Sequence, residues 1–166
     1  MNFIEIAADK NDRKDNDFKI KILIFTEGTI IGPRNLFQHF NHASYVPIGT
    51  SSEKTFDWYK QGADIIYLTS RKRKIQVVTI ADILGRNNFA PGILISREGN
   101  EMYKDIVESV KPDILIEDDC RSIGGKWQMC ITYVKPDIKR RIKSIVVKEF
   151  QGIDHLPKMA IDLQSE

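Results

Sequence analysis

Short apolar runs alternate along this chain with longer stretches in which apolar residues recur at helical spacing. The apolar runs cover residues 20–25, 64–68, 93–95 and 114–116, and each one ends at a hydroxyl-bearing or charged residue. Runs of this length and composition predict buried strands. Further strands are predicted over residues 3–6, 129–134 and 144–150.

Helices are predicted between these strands. The Thr-Ser-Ser-Glu sequence at residues 50–53 is a capping-box pattern, which predicts that a helix begins there. A second helix is predicted from about residue 74 by the helical spacing of Val77, Ile80, Ala81 and Leu84. Two more helices are predicted over residues 101–110 and 136–143, the last with a proline in its first turn.

Strands that alternate with helices predict an α/β fold with a mostly parallel central sheet. We therefore expect residues 1–166 to form a single three-layer domain, with the sheet flanked by helices and joined by right-handed crossovers. Two segments fall outside this pattern. Residues 9–18 are almost all Asp, Asn, Lys and Arg, which predicts a mobile loop, and residues 152–166 are expected to form a surface tail.

The composition is ordinary for a globular protein. Of the 166 residues, 42% are hydrophobic and 29% are charged, which is sufficient for one domain with a core. The formal net charge of +2 is too small to indicate a nucleic-acid partner or attachment to a membrane surface. The basic runs at residues 71–74 and 139–141 are interpreted as solvated helix faces.

The cysteines and the first residues favour a cytoplasmic location. Cys120 and Cys130 lack the spacing of a metal-binding pair, so reduced thiols are the expectation. Charged residues at positions 5, 9 and 10 interrupt the apolar stretch that a signal peptide needs. No apolar run reaches membrane-spanning length, so no membrane partner is predicted.

Polar side chains follow three of the predicted strands at the point where each strand ends. They are Thr-Glu-Gly-Thr at residues 26–29, Thr-Ser-Arg at 69–71 and Glu-Asp-Asp at 117–119, and Lys104 lies upstream of the last group. The carboxyl ends of parallel strands meet at one edge of a sheet, where ligands bind. Clustered carboxylates suit a hard cation such as Mg²⁺, while a lysine and a hydroxyl suit phosphate oxygens.

The order of these groups resembles the motif order of the haloacid dehalogenase-like superfamily, whose members are mostly phosphatases. The resemblance extends over residues 21–125. That family opens with an apolar strand followed by Asp-x-Asp-Gly-Thr, and residues 22–29 here read ILIFTEGT. The family's later motifs are a Thr or Ser, a Lys and an acidic strand end, which match Thr69, Lys104, and Asp118 with Asp119.

The resemblance implies a Rossmannoid fold and a phosphoryl site. Residues 30–63 leave little room for the inserted domain of many relatives, so little or no cap is expected. By position, the resemblance assigns catalytic roles to Glu27, Thr69 and Lys104. It implies Mg²⁺, bound by Asp118, Asp119 and Glu27, and a phosphorylated small molecule or protein as the partner.

The first motif departs from the family pattern. Aligned on the Gly-Thr pair, the family's nucleophilic Asp falls on Phe25, and its general acid/base falls on Glu27. A phenyl ring can neither attack phosphorus nor bind Mg²⁺, so covalent catalysis has lost its nucleophile. Glu27 as a displaced nucleophile would need in-line geometry from a position two residues away.

Three functional hypotheses are open at this point. The first is a binding or regulatory protein that has lost phosphatase chemistry and keeps a weak Mg²⁺ or phosphate site. The second is an active Mg²⁺-dependent phosphohydrolase with a rearranged site that uses Glu27 and Asp118. The third is a receiver-like signalling domain, suggested by the PDILIEDD sequence at residues 112–119.

Each candidate site residue also has a structural interpretation. Asp118 and Asp119 suit helix caps at a polar strand end, and Thr69 suits an ordinary turn hydroxyl. Lys104 suits a solvated helix lysine, and Glu27 suits a turn residue near the positive end of a helix.

Overall fold

The computed structural model describes residues 1–7, 19–35 and 41–166. In chain order its strands and α-helices are β1 (Asn2–Ile6), β2 (Lys21–Phe25), β3 (Ile31–Gly32), β4 (Val46–Pro47), α1 (Ser51–Lys60), β5 (Asp64–Thr69), α2 (Lys74–Arg86), β6 (Gly92–Ser96), α3 (Tyr103–Val110), β7 (Ile114–Asp118), α4 (Pro136–Lys139) and β8 (Lys143–Val147). The segment 9–18, predicted to be a mobile loop, lies outside the described residues.

Six strands form the central sheet in the order β1-β6-β5-β2-β7-β8. All neighbours are parallel except β1, which pairs antiparallel with β6 at one edge. The short strands β3 and β4 pair separately. The predicted α/β class and the mostly parallel sheet are confirmed.

The five parallel strands have a doubly wound order. Numbered along the chain, they run 3-2-1-4-5 across the sheet, because the chain moves outward from β2 to β6 and then returns to β7 on the other side of β2. This places the topological switch point between β2 and β7, and ligands of such sheets bind outside the carboxyl ends there. A receiver domain has the order 2-1-3-4-5 instead, so the receiver hypothesis is wrong for this chain.

Helices cover both faces of the sheet. Ile22 and Ile24 of β2 point into a large apolar cluster with residues of α1 and α2, including Trp58 and Ile80. Leu23 points to the opposite cluster, which contains residues of α3. Because both faces are buried, the strands read as continuous apolar runs rather than alternating ones. Every helix in the described part of the chain is too short or too polar to cross a lipid bilayer.

The strand predicted over residues 129–134 is wrong. Cys130–Tyr133 forms a 3-10 helix instead. The reason is the carboxylate of Glu117, which accepts hydrogen bonds from the backbone N–H groups of Cys130 at 2.7 Å and Ile131 at 3.0 Å. Two consecutive N–H groups that point to one acceptor cannot take part in the alternating pattern of a strand. The helix predicted over 136–143 also ends early, at Lys139.

Residues 152–166 are anchored to α1 rather than forming a surface tail. Ile153 and Leu163 are fully buried in the cluster on the α1 face. The side chain of Asp154 accepts hydrogen bonds from both the backbone N–H and the hydroxyl of Thr50. The predicted start of α1 is confirmed, but its N-terminus is capped by Asp154 and not by the local capping box.

Candidate functional site

The carboxyl edge of the sheet brings the polar strand ends together, as the sequence predicted. The hydroxyl of Thr69, after β5, lies 2.7 Å from Glu27, which follows β2. The hydroxyl of Thr29 lies 3.2 Å from Asp118, at the end of β7. The edge therefore has two halves, one around Glu27 beside β5 and one around Asp118 beside β7.

Glu27 lies at the centre of a hydrogen-bond network and is largely covered by it. Its two carboxylate oxygens accept five hydrogen bonds, from the hydroxyls of Thr26, Thr69 and Ser70, the backbone N–H of Ser70 and the Nε of Arg71. The Arg71 contact is an ion pair of 2.9 Å in which the Glu27 side chain is 9% exposed.

The surroundings of Glu27 hold it in its charged form. Burial alone would raise the pKa of Glu27, but the hydrogen bond from Thr26 and the positive charge of Arg71 outweigh burial and lower the pKa below its ordinary value. A carboxylate offers about four lone-pair sites, and the protein itself occupies them. A metal ion or a substrate would have to displace these donors before it could reach Glu27.

Phe25, which the sequence resemblance aligns with the family's nucleophile, is the last residue of β2. Its ring meets the ring of Tyr103 edge to face, with the ring centroids 5.2 Å apart and the planes at 71°. Phe25 packs against the apolar cluster on the α3 face of the sheet. The residue is therefore accommodated as a packing element between β2 and α3.

The acidic half of the edge contains Asp118, Asp119 and Glu149. One carboxylate oxygen from each of the three lies within 4.8 Å of the others. Backbone N–H groups also cap these carboxylates, with Cys120 donating to Asp118 and Glu149 donating to Asp119. Three oxygen donors at this spacing could hold a divalent cation, but carboxylates alone do not select Mg²⁺ over other hard cations.

The turn after β2 is shaped to admit Asp118. Gly28 has a φ of +84°, and a Cβ atom at this position would lie 2.8 Å from the Oδ2 of Asp118. Burial raises the pKa of Asp118 above its ordinary value, although a hydrogen bond from the backbone of Cys120 opposes the rise. A bound cation would relieve this burial of negative charge.

The remaining predicted residues are not all assembled with these two groups. Thr69 lies in the Glu27 network and also accepts a hydrogen bond from the backbone N–H of Arg71. The Nζ of Lys104 lies 3.6 Å from Asp105, with the side chain 30% exposed. Among the described residues, neither Glu27 nor the acidic half is a hydrogen-bond or ion-pair partner of Lys104.

Glu117 points away from the acidic half. Successive side chains of a strand face opposite sides, so Glu117 faces the loop that it anchors, while Asp118 faces the edge. Burial is the main cause that raises the pKa of Glu117, to about 7, against the hydrogen bonds from Ile131 and Cys130. The alternation of side chains along a strand could have been applied to the sequence. It predicts that Glu117 and Asp118 face opposite sides of the sheet.

Sequence reasoning missed Glu149 and misread Arg71. Glu149 follows β8, and only the pairing of β8 with β7 brings it beside Asp119. Arg71 was interpreted as part of a solvated basic run, but its side chain forms the ion pair with Glu27. The sequence did contain a signal for this role of Arg71, because Arg71 directly follows Thr69 and Ser70 at the end of β5 and so belongs to the carboxyl edge.

The two thiols are not candidate nucleophiles. Both Cys120 and Cys130 are free. Burial and the negative charge of Asp118 raise the pKa of Cys120 to about 12, and burial also raises the pKa of Cys130. A thiol must ionise to attack, so neither side chain is reactive near neutral pH.

Comparison with known proteins does not assign the chain to a group: no family model, no curated protein and no solved structure matches it.

Proposed function

We propose that this chain is a non-catalytic relative of the haloacid dehalogenase-like phosphatases. It acts as a binding or regulatory protein at the carboxyl edge of its sheet, with a residual site for a divalent cation or a phosphate group. A phosphorylated small molecule or protein in the cytoplasm is the proposed partner.

Phe25 carries this proposal. If the motif order is that of the family, the residue that should attack phosphorus is a ring packed on Tyr103. The nearest carboxylate along the chain, Glu27, is already the acceptor of five hydrogen bonds. A nucleophile needs a free lone pair directed at the substrate. The hydrogen bonds to Glu27 occupy its lone pairs, which supports a structural role for this residue.

The alternative is an active phosphohydrolase that uses Asp118, Glu27 and Mg²⁺. The grouping of Asp118, Asp119 and Glu149 favours it, because these carboxylates are close enough to share a cation. The network around Glu27 opposes it. Loss of turnover in Glu27→Gln, in a wild type that does turn over, would support this alternative.

Phosphate release from an aryl phosphate, with and without Mg²⁺, separates the two functions. We expect wild type to be inert, and Phe25→Asp to gain metal-dependent turnover if the rest of the site is intact. Asp118→Ala is compared with Asp82→Ala, which removes an exposed carboxylate on α2. Circular dichroism verifies that each variant is folded.

Robust Mg²⁺-dependent turnover by wild type would overturn the proposal, provided that Asp118→Ala abolishes it and Asp82→Ala does not. Turnover that survives Asp118→Ala would instead indicate a contaminating phosphatase in the preparation.

A further inference from the structure

The end of β6 carries hydrogen-bonding capacity that the protein does not use. Three buried side-chain polar atoms in the described residues have no partner, and two of them, Ser96 Oγ and Arg97 Nε, are consecutive. Consecutive side chains of an extended segment face opposite sides. Arg97 faces the side of α3, and Ser96, which pairs in register with Thr69, belongs to the opposite face.

Arg97 is held by an aromatic ring and by no carboxylate. Its guanidinium carbon lies 3.7 Å from the ring centroid of Tyr103, the same ring that meets Phe25. No ion pair within the described ranges includes Arg97. The Nε is covered and unpaired, whereas the side chain as a whole is only partly buried. A charged group without a counterion is unfavourable in the ligand-free protein, and an anion bound to the terminal nitrogens of Arg97 would remove that disadvantage.

A second guanidinium lies on the same part of the edge. Arg71 uses its Nε for Glu27, which leaves the two terminal nitrogens for other acceptors. The pKa of the Tyr103 hydroxyl responds to these groups. Burial raises this pKa most, the positive charges of Arg97 and Arg71 lower it, and the negative charge of Glu27 raises it. Arg71 and Arg97 follow neighbouring strands whose ends pair at Thr69 and Ser96, so two positive groups and the carboxylate of Glu27 belong to this part of the edge.

We infer that Arg97, supported by Arg71 and Tyr103, forms an oxyanion-binding subsite beside Phe25. A guanidinium covered on one face presents its N–H groups along the edge of its plane, which matches two oxygens of a phosphate or carboxylate group. The subsite deepens the proposed function and rests on it. It differs from the Thr69 and Lys104 positions that the family resemblance assigns.

The test is anion binding by the full chain, measured by isothermal titration calorimetry with inorganic phosphate, phenyl phosphate and benzoate. We expect wild type to bind at least one of them with a Kd on the order of 1 mM or below. Arg97→Gln should weaken binding about tenfold or more, because it removes the charged donor. Arg97→Lys should restore binding only in part, since an ammonium cannot present two parallel N–H groups.

Arg86→Gln is the matched control, because Arg86 is an exposed arginine at the end of α2. Its binding should equal that of wild type. Phenyl phosphate and benzoate carry the same ring, so their comparison separates a phosphate ligand from a carboxylate ligand. Thermal melts confirm that the Arg97 variants remain folded.

Two results would overturn the subsite: no binding of any of the three anions by wild type, or equal binding by wild type and Arg97→Gln. Both can be told apart from failure of the proposed function, which is recognised by Mg²⁺-dependent turnover of an aryl phosphate. An enzyme that turns over and also loses anion binding in Arg97→Gln would keep the subsite and refute the non-catalytic role.

Discussion

Replacing Glu27 by Gln tests whether this buried carboxylate is a structural element of the sheet edge. The change keeps the shape of the side chain and removes its charge. A catalytic carboxylate that lacks structural partners can be neutralised with little loss of stability, and often with a gain. Glu27 has five donors, so we expect a substantial loss instead.

The magnitude follows from the two carboxylate oxygens. Oε1 accepts from Thr69, Ser70 and Arg71, so the remaining oxygen of Gln is best placed there. The amide NH₂ then faces the backbone N–H of Ser70, which can only donate. One unpaired buried N–H costs about 1–3 kcal/mol, and the bond to Arg71 loses roughly 1 kcal/mol when its acceptor becomes neutral. The sum is a loss of about 2–4 kcal/mol in the free energy of unfolding.

Urea unfolding followed by circular dichroism at pH 7 measures this loss. Glu53→Gln is the control, because Glu53 is an exposed residue in the first turn of α1 and should change stability by less than about 0.5 kcal/mol. Adding Arg71→Met to both backgrounds completes a double-mutant cycle. We expect an interaction energy of about 1–3 kcal/mol between Glu27 and Arg71.

The pH dependence provides a second check on the same variant. The pKa of Glu27 is lowered in the folded state from an ordinary value of 4.5. The stabilisation from its charge is therefore fully present above pH 4.5 and is lost as the pH falls through the folded pKa. The difference between wild type and Glu27→Gln should shrink in acid. A variant as stable as wild type at pH 7 would refute the structural role.

Three further predictions concern the scaffold. Asp154→Ala should lower the free energy of unfolding by about 1–2 kcal/mol, because it removes the acceptor at the N-terminus of α1; the exposed Asp162→Ala should be near neutral in the same urea titration. Gly85→Ala should raise the thermal midpoint and add about 0.5–1 kcal/mol, since an added Cβ at this helical position meets nothing within 4 Å; an unchanged or lower midpoint would contradict this. The pKa of Glu117 is raised from 4.5 to about 7, so its contribution to stability is fully present below pH 4.5 and is lost as the pH rises towards 7. Between pH 5 and 8, wild type should lose roughly 2 kcal/mol relative to Glu117→Gln, and parallel stability curves for the two proteins would show that Glu117 does not titrate there.

The apolar pattern by itself determined most of the sheet. Each of the runs at residues 20–25, 64–68, 93–95 and 114–116 coincides with a strand of the central sheet to within two residues at either end. A strand that is buried on both faces needs apolar side chains on both sides. A short continuous apolar run therefore identifies it without tertiary information. The helical period over α2 succeeded for a related reason, since one face of that helix must cover the sheet. The convergence of polar strand ends followed from parallel topology alone.

Tertiary structure decided which of those polar residues remain free for a ligand. The sequence placed Glu27 at the edge, but its saturation by Thr69, Ser70 and Arg71 depends on the pairing of β2 with β5. Glu149 reaches Asp119 only through the pairing of β7 with β8. Hydrogen bonds and ion pairs are short-ranged and depend on side-chain direction, so residues about 30 to 100 positions apart acquire partners that no local pattern encodes.

The same limit explains two of the segments whose predictions differed from the structure. Residues 129–134 have strand-like composition, but the carboxylate of Glu117 fixes their backbone as a 3-10 turn. Residues 152–166 show no clean period, yet Ile153 and Leu163 are buried because α1 presents an apolar surface to them. Local propensity is weak compared with a buried carboxyl group that needs hydrogen-bond donors or an apolar face that must be covered. The sequence thus determined the sheet and the edge where a ligand would bind, and the tertiary contacts decided which side chains at that edge are available.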